Sequence, residues 1–177
     1  MSPSLAPRTL IFALGANLGT PLVTLGTAAR GLGSALTDAK VSGVYRTPPE
    51  GGADQPAYLN AVFRGKGSLT STEALALAVR LERAAGRVRT TPGAARVLDV
   101  DVLFVGDEVI DRPGLQVPHP RWDGRDFVVV PLLDVAPEWT DPVTGLTVAE
   151  VAAAAGWDKE WFPAVLEPGA LLSMEAS

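Results

Sequence analysis

The sequence predicts an α+β domain of the split β-α-β kind, an antiparallel sheet carrying its helices on one face. Three observations make that prediction. Apolar and helix-patterned stretches alternate in the order strand, helix, strand, strand, helix, strand, and no internal repeat interrupts them. Two S/T-x-x-E capping boxes mark helix starts. Finally, Leu, Val, Phe and Ile make up 49 of 177 residues, above the roughly 20% level below which chains tend to stay disordered. A chain of this length forms one domain, expected to run from residue 8 to 156, with a C-terminal extension over 157–177 whose last fifteen or so residues are loosely attached.

Thr9 to Leu14 is a short continuous apolar run stopped by Gly15-Ala16-Asn17-Leu18-Gly19, the pattern of a buried strand. Thr20 as N-cap and Pro21 in the first turn open a helix whose stripe is Leu22, Leu25, Ala29 and Leu32, weakened by Gly26, Gly31 and Gly33. Val41 to Thr47 is a second strand, ended by Pro48-Pro49 and the turn-rich Gly51-Gly52-Ala53-Asp54. Tyr58 to Gly65 is a third. Thr70-Ser71-Thr72-Glu73 opens the clearest helix, which ends near Gly86. After the polar loop Arg87 to Arg96, Val97 to Val105 is a fourth strand with strict alternation, and Val109-Ile110 is expected to pair with it across the Gly106-Asp107 turn. Phe127 to Val135 reads as a helix despite its three valines. Thr147 to Glu150 opens a short helix over Val148 to Ala155.

Composition excludes several classes of function. The net charge of −5 does not suit a duplex nucleic-acid binder, which needs excess Lys and Arg to displace phosphate counterions. With no cysteine, the chain has no disulfide framework, thiolate metal site or thiol nucleophile. No apolar run reaches the roughly 18 residues of a membrane span, and the N-terminus lacks the pattern of a leader. A soluble cytoplasmic monomer, with neither nucleic acid nor membrane as partner, is the expectation. Twelve of the fifteen basic residues are arginine, the side chain suited to bidentate contacts.

Leu98-Asp99-Val100-Asp101-Val102 is the sharpest chemical feature. Alternation puts Asp99 and Asp101 on one face, about 6.6 Å apart along the strand, and sends Leu98, Val100 and Val102 into the core. Two carboxylates this close repel unless one is protonated or a cation sits between them, and paired carboxylates on a rigid strand suit Mg²⁺. The competing reading is a solvated polar face. Arg87, Arg89 and Arg96 lie on the loop just before, an arrangement that suits a polyphosphate held between metal and arginine forks. Glu82 falls on the apolar stripe of its helix, so it is either partnered, with Arg87 the nearest candidate, or at a cleft edge. His119, the only histidine, is held between Pro118 and Pro120. Tyr45-Arg46-Thr47-Pro48-Pro49 and the segment Asp54 to Asn60 offer a flat face at Tyr58 and donor and acceptor groups at Asn60. Those suit a planar heterocycle, or equally a plain strand-turn-strand.

Taken together, YRTPP, D-Q-P-x-Y-L-N, L-E-x-x-x-G-R-V-R, R-x-x-D-V-D-V-L-F, V-P-H-P and G-R-D-F follow one another here in the order of a single family. The chain resembles the 6-hydroxymethyl-7,8-dihydropterin pyrophosphokinases over roughly Leu10 to Glu138. The resemblance implies a ferredoxin-like α+β fold and Mg²⁺-dependent transfer of pyrophosphate from ATP to the pterin hydroxymethyl group, releasing AMP. It implies two Mg²⁺ ions at Asp99 and Asp101, and Tyr58 and Phe127 on either side of the pterin. It also puts Asn60 with Thr47 and Pro48 at the pterin edge, and Glu82, Arg87, Arg89, Arg96, His119 and Arg125 around ATP. Arg87, Arg96, Asp99 and Asp101 would be the catalytic set. The chain departs from the family pattern in its loop before Arg96, which reads Gly93-Ala94-Ala95 without the usual tryptophan. It also has Gly114 where arginine is frequent, with Arg112 nearby as a substitute. The alternative these departures raise is a pterin- or nucleotide-binding relative with little or no catalysis. A ferredoxin-like interaction or RNA-binding module fits less well, because its sheet face would carry basic and aromatic residues.

Overall fold

The computed structural model describes residues 6–49, 54–87 and 94–174 and, at Trp161, the backbone. At its centre lies β1 (Arg8–Ala16), which pairs antiparallel with β4 (Tyr58–Gly67) on one side and β5 (Asp99–Val105) on the other. Beyond β4 come β2 (Thr37–Val41) and β3 (Val44–Thr47), both antiparallel to it.

Every residue from Leu10 to Phe12 is fully buried. A strand so apolar on both sides must be covered on both, and it is. Leu10, Phe12 and Leu14 face α1 (Pro21–Ala35) and α2 (Ser71–Ala84), in one cluster with Leu25, Leu32, Leu77 and Ala78. Ile11, Val62 and Leu103 face α3 (Asp126–Val135) and α4 (Val148–Ala155), packed against Val129, Leu132 and Val148. Helices on one face alone was therefore the wrong expectation. A fully buried Leu or Phe contributes about 1.5–3 kcal/mol, so both clusters hold the sheet.

Local signals are realised unevenly. Both capping boxes form: Thr70 Oγ1 accepts from the Glu73 N–H while Glu73 Oε2 accepts from the Thr70 N–H at 2.8 Å, and Thr147 and Glu150 repeat the exchange. Thr20 does not cap α1 with its side chain; its carbonyl instead accepts from the N–H and hydroxyl of Thr24. Gly31, which weakens α1 in isolation, is where α2 comes closest. A Cβ there would lie 2.5 Å from Leu81 Cδ2.

The single strand expected over Val41–Thr47 is broken. Val41 pairs with Phe63 and Tyr45 with Asn60, so four steps on one strand answer three on the other. That is a β-bulge at Ser42-Gly43, held by Ser42 Oγ accepting from the Val62 N–H at 2.8 Å. Val109-Ile110 does not pair with β5 either. β6 (Ile110–Arg112) forms a separate hairpin with β7 (Leu115–Val117). Glu108 accepts from Arg8 and Ser71 and draws the chain away from the sheet, while the His119 N–H takes the β5 edge at Leu103 O. Arg112, weighed as a substitute for a site arginine near Gly114, donates to Thr72 at the start of α2.

As far as Met174 the C-terminal segment is docked, contrary to the loose attachment expected. β8 (Ala164–Leu166) extends the sheet beyond β3, and α5 (Ala170–Ser173) buries Leu171 completely in the cluster shared with α1. Arg30 donates to the Met174 carbonyl at 2.7 Å. Asp134 of α3 accepts from the Tyr45 hydroxyl at 2.7 Å and the Gly43 N–H at 2.9 Å, and pairs with Lys159 in a 3₁₀ turn, Lys159–Trp161. Burial first, then Asp134, pushes the Tyr45 phenol above its ordinary range. Among the described residues no helix is long and apolar enough to cross a membrane.

Candidate active site

The register sets out the site before any side chain is considered. Gly15 of β1 stands between Asp99 of β5 and Asn60 of β4, and Ala13 stands between Asp101 and Val62. Paired residues share a face, so Asp99, Asp101 and Asn60 lie on the side covered by α3. Near its start α3 stops covering the sheet, and Phe127 and Val128 border a cavity of about 280 Å³. Small residues leave it open: a Cβ on Gly15 would sit 3.1 Å from Asn60 Oδ1.

One end of the cavity is ionic. Asp99 Oδ1 accepts from Arg87 Nη1 at 2.6 Å, and its other oxygen pairs with Arg96. Asp101 Oδ2 lies 3.7 Å from His119 Nε2 and 3.9 Å from Arg125 Nη1. Burial, then repulsion from Asp99, pushes the Asp101 carboxyl up; His119, Arg125 and Arg96 oppose that only in part. Burial pushes His119 down, opposed by Asp101 and Asp99 and aided by Arg125 and Arg121. The Arg121 N–H donates to His119 Nδ1 at 3.2 Å, so the proton is on Nε2, aimed at the carboxylates. Arg87, Arg96, Arg121 and Arg125 all line the cavity against two aspartates, a surplus that suits a polyanion.

Aromatic and amide groups form the other end. Asn60 Nδ2 donates to Thr47 Oγ1 at 2.7 Å, fixing both groups in a buried pair. Tyr58, whose hydroxyl donates to the Ala94 carbonyl at 3.2 Å, lines the same cavity, as do Pro48 and Phe127. The Arg125 guanidinium lies 5.3 Å from the centre of the Phe127 ring, a cation–π contact joining the two ends.

Eleven of the thirteen candidate residues therefore line one cavity. Arg89, with the rest of the 88–93 loop, lies outside the described residues. Glu82 sits behind the cavity wall: buried, it accepts from Arg87 and from the Val100 N–H at 2.9 Å. Of the two readings for it, partnered or at a cleft edge, the first holds. Burial outweighs these partners and pushes its carboxyl up. Glu82→Ala strands the Val100 N–H and frees Arg87. We expect it to cost about 2–4 kcal/mol in urea unfolding, while Glu82→Gln, which can still accept from Val100, loses less than half of that. Equal losses would mean that the Arg87 pairing alone matters.

Three residues at or behind the cavity were not committed to as site residues from sequence. Asn17 read only as a strand stop, Gln55 only as a member of the Asp54–Asn60 segment, and Arg121 not at all; of these, Gln55 and Arg121 line the cavity. Arg121, two residues after His119 in a proline-bounded turn, carried a usable signal. For Asn17 there was none, since its partners are 38 or more residues away.

Among the described residues no three of His, Cys, Asp and Glu gather as metal ligands. Asp99 and Asp101 still fit Mg²⁺. That ion binds through one or two carboxylates and completes its octahedron with water and phosphate oxygens.

A family model described as 7,8-dihydro-6-hydroxymethylpterin-pyrophosphokinase matches residues 11–137. The chain is 33% identical over 153 residues to the 2-amino-4-hydroxy-6-hydroxymethyldihydropteridine pyrophosphokinase of Synechocystis, covering 85% of this chain and 78% of the relative. It is 36% identical over 137 residues to the enzyme of that name from Haemophilus influenzae, covering 76% and 85%. Among solved structures it is similar in fold to a Plasmodium falciparum HPPK-DHPS triple mutant, with a TM-score of 0.71 at 14% identity. That match covers 87% of this chain and 44% of the longer one.

Proposed function

The chain belongs to the 7,8-dihydro-6-hydroxymethylpterin-pyrophosphokinase family, and from that premise we propose how its own residues share out the reaction. The enzyme transfers pyrophosphate from ATP to the hydroxymethyl group of 6-hydroxymethyl-7,8-dihydropterin, a step of folate biosynthesis. The balance of atoms is simple. The pterin hydroxyl oxygen bonds to the β-phosphorus, the bond from that phosphorus to the bridging oxygen of the α-phosphate breaks, AMP leaves with that oxygen, and the hydroxyl proton goes to solvent or base.

One observation carries the reading: a single cavity has the Asp99–Asp101 face and its arginines at one end and Tyr58, Asn60, Thr47 and Phe127 at the other. The pterin stacks between Tyr58 and Phe127, and its polar edge meets Asn60, Thr47 and the backbone near Pro48. Held there, its hydroxymethyl arm points at the ionic end. Arg87 and Arg96, held by Asp99 in the ligand-free protein, turn their remaining N–H groups to the phosphates; Arg125 and His119 Nε2–H meet them from the other side. Asp99 and Asp101 would hold two Mg²⁺ ions, which when bound would supply neutralisation of phosphate charge. Alignment and charge neutralisation carry such a transfer without a covalent nucleophile. Glu82 acts on ATP through Arg87, and Arg89 belongs to the same phosphate group of residues. The catalytic unit is residues 8–156, with 157–177 a C-terminal extension whose described part, as far as Met174, folds on its edge. We read the enzyme as cytoplasmic, and as a monomer because one chain supplies all the described lining of the cavity.

Incubating the protein with ATP, the pterin and graded Mg²⁺, and separating nucleotides by ion-exchange chromatography, tests this. AMP should appear in a one-to-one ratio with pterin diphosphate, and EDTA should stop it. Calorimetric binding of both ligands with no AMP would instead establish a non-catalytic relative.

A further inference from the structure

Asn17 follows the last residue of β1 and is only 4% exposed. Its carboxamide is fully engaged in two directions. Oδ1 accepts from the Arg96 N–H at 2.8 Å, and Nδ2 donates to Gln55 Oε1 at 3.1 Å and to the Pro56 carbonyl at 2.9 Å. A peptide N–H can only donate and a carbonyl can only accept, so the partners themselves fix which end of the amide is oxygen. The main chain adds to this, since the N–H groups of Asn17 and Leu18 both donate to the Arg96 carbonyl, at 3.0 and 3.2 Å. Both sides of residue 96 are thus pinned to the end of β1.

The two segments joined here serve different substrates. Gln55 and Pro56 lead directly into Tyr58 and Asn60, at the pterin end. Arg96 leads into Asp99, with which it pairs, at the phosphate end. We propose that Asn17 is a positioning residue that couples the pterin half of the cavity to the phosphate half, so that ordering one segment orders the other. The side chain is suited to this and its near relatives are not. Aspartate keeps the acceptor but loses both donors, leucine has neither, and glutamine, a methylene longer, displaces the amide from these partners. Coupling of this kind gives each ligand a higher affinity when the other is bound, because the first has already immobilised what the second must order.

The inference rests on the pyrophosphokinase reading, and the tests separate the two. Wild-type protein that makes no AMP refutes that reading alone, while the binding arm still judges Asn17. In that arm, a non-hydrolysable ATP analogue should tighten pterin binding to wild type by about 10-fold, and in Asn17→Ala the gain should fall to within about 2-fold of none. In the kinetic arm, Asn17→Asp should raise the pterin KM by about 10-fold and the ATP KM by less than about 2-fold, because only the Gln55–Pro56 contacts are lost. Asn17→Ala should lower kcat by about 30-fold in the wild-type background but by less than about 3-fold beside Arg96→Ala, the non-additivity expected of a residue that acts through Arg96. Should Asn17→Ala fail to fold, Asn17→Ser takes its place in every comparison. Undiminished ligand coupling in the variant, equal rises in both KM values for Asn17→Asp, or additive losses in the double variant would each reduce Asn17 to a structural residue and overturn the proposal.

Discussion

Asp101→Ala should reduce AMP formation at least about 10³-fold while its thermal midpoint in Mg²⁺-free buffer stays level or rises. The two halves of that expectation have one cause. Asp101 lies where burial and the Asp99 charge both disfavour its ionised form, so its carboxyl is pushed up. A group whose folded pKa is raised gives the fold its full contribution below the unfolded value, near 3.8, and that contribution is lost as the pH rises through the folded value. At neutral pH, then, the carboxylate costs the empty protein stability that alanine returns. Such a residue is explained by what it binds rather than by what it holds together. Asp99→Ala should be equally inactive but less stable, because Asp99 also anchors Arg87 and Arg96. Full activity in either variant, measured as AMP released, contradicts the metal assignment.

The second large effect is expected at Arg96. Arg96→Ala should lower kcat by about 10²-fold and change the ATP KM by less than about 3-fold. Its guanidinium already has a partner in Asp99, so ground-state ATP gains little by taking it over. The contact strengthens as charge moves onto the bridging oxygen during transfer, and that gain is confined to the transition state. Arg96→Lys should restore less than a tenth of the loss, since an ammonium cannot span carboxylate and phosphate with one planar fork. A parallel loss in kcat and rise in KM, read from steady-state kinetics at saturating pterin, would show instead that Arg96 merely binds.

How far the fold was legible depends on the range of each signal. The capping boxes span four residues and both formed as read. The alternation through Asp99 and Asp101 is equally local, and Leu98, Val100 and Val102 do enter the core. The interruption at Ser42-Gly43 was hidden because its cause lies across the sheet, in a Val62 N–H that Ser42 satisfies and an Asp134 carboxylate that Gly43 meets. Covering on both faces could have been inferred from the unbroken apolar run Leu10–Phe12, but the assumed topology overrode it. The site was legible chiefly through the family resemblance. Physical chemistry alone singled out the carboxylates and their arginines and left the pterin end undecided. Asn17 escaped both approaches, because a buried amide bridging residues 55, 56 and 96 leaves no mark in its own neighbourhood.

The short strand β8 has a consequence for anyone who trims the chain. It caps β3, the strand whose last residue, Thr47, holds Asn60 in place. A version ending at Gly156 would leave that rim of unpaired peptide groups bare, a template on which a second molecule can add itself. Truncation should therefore make the chain more prone to self-associate along β3, which light scattering would read.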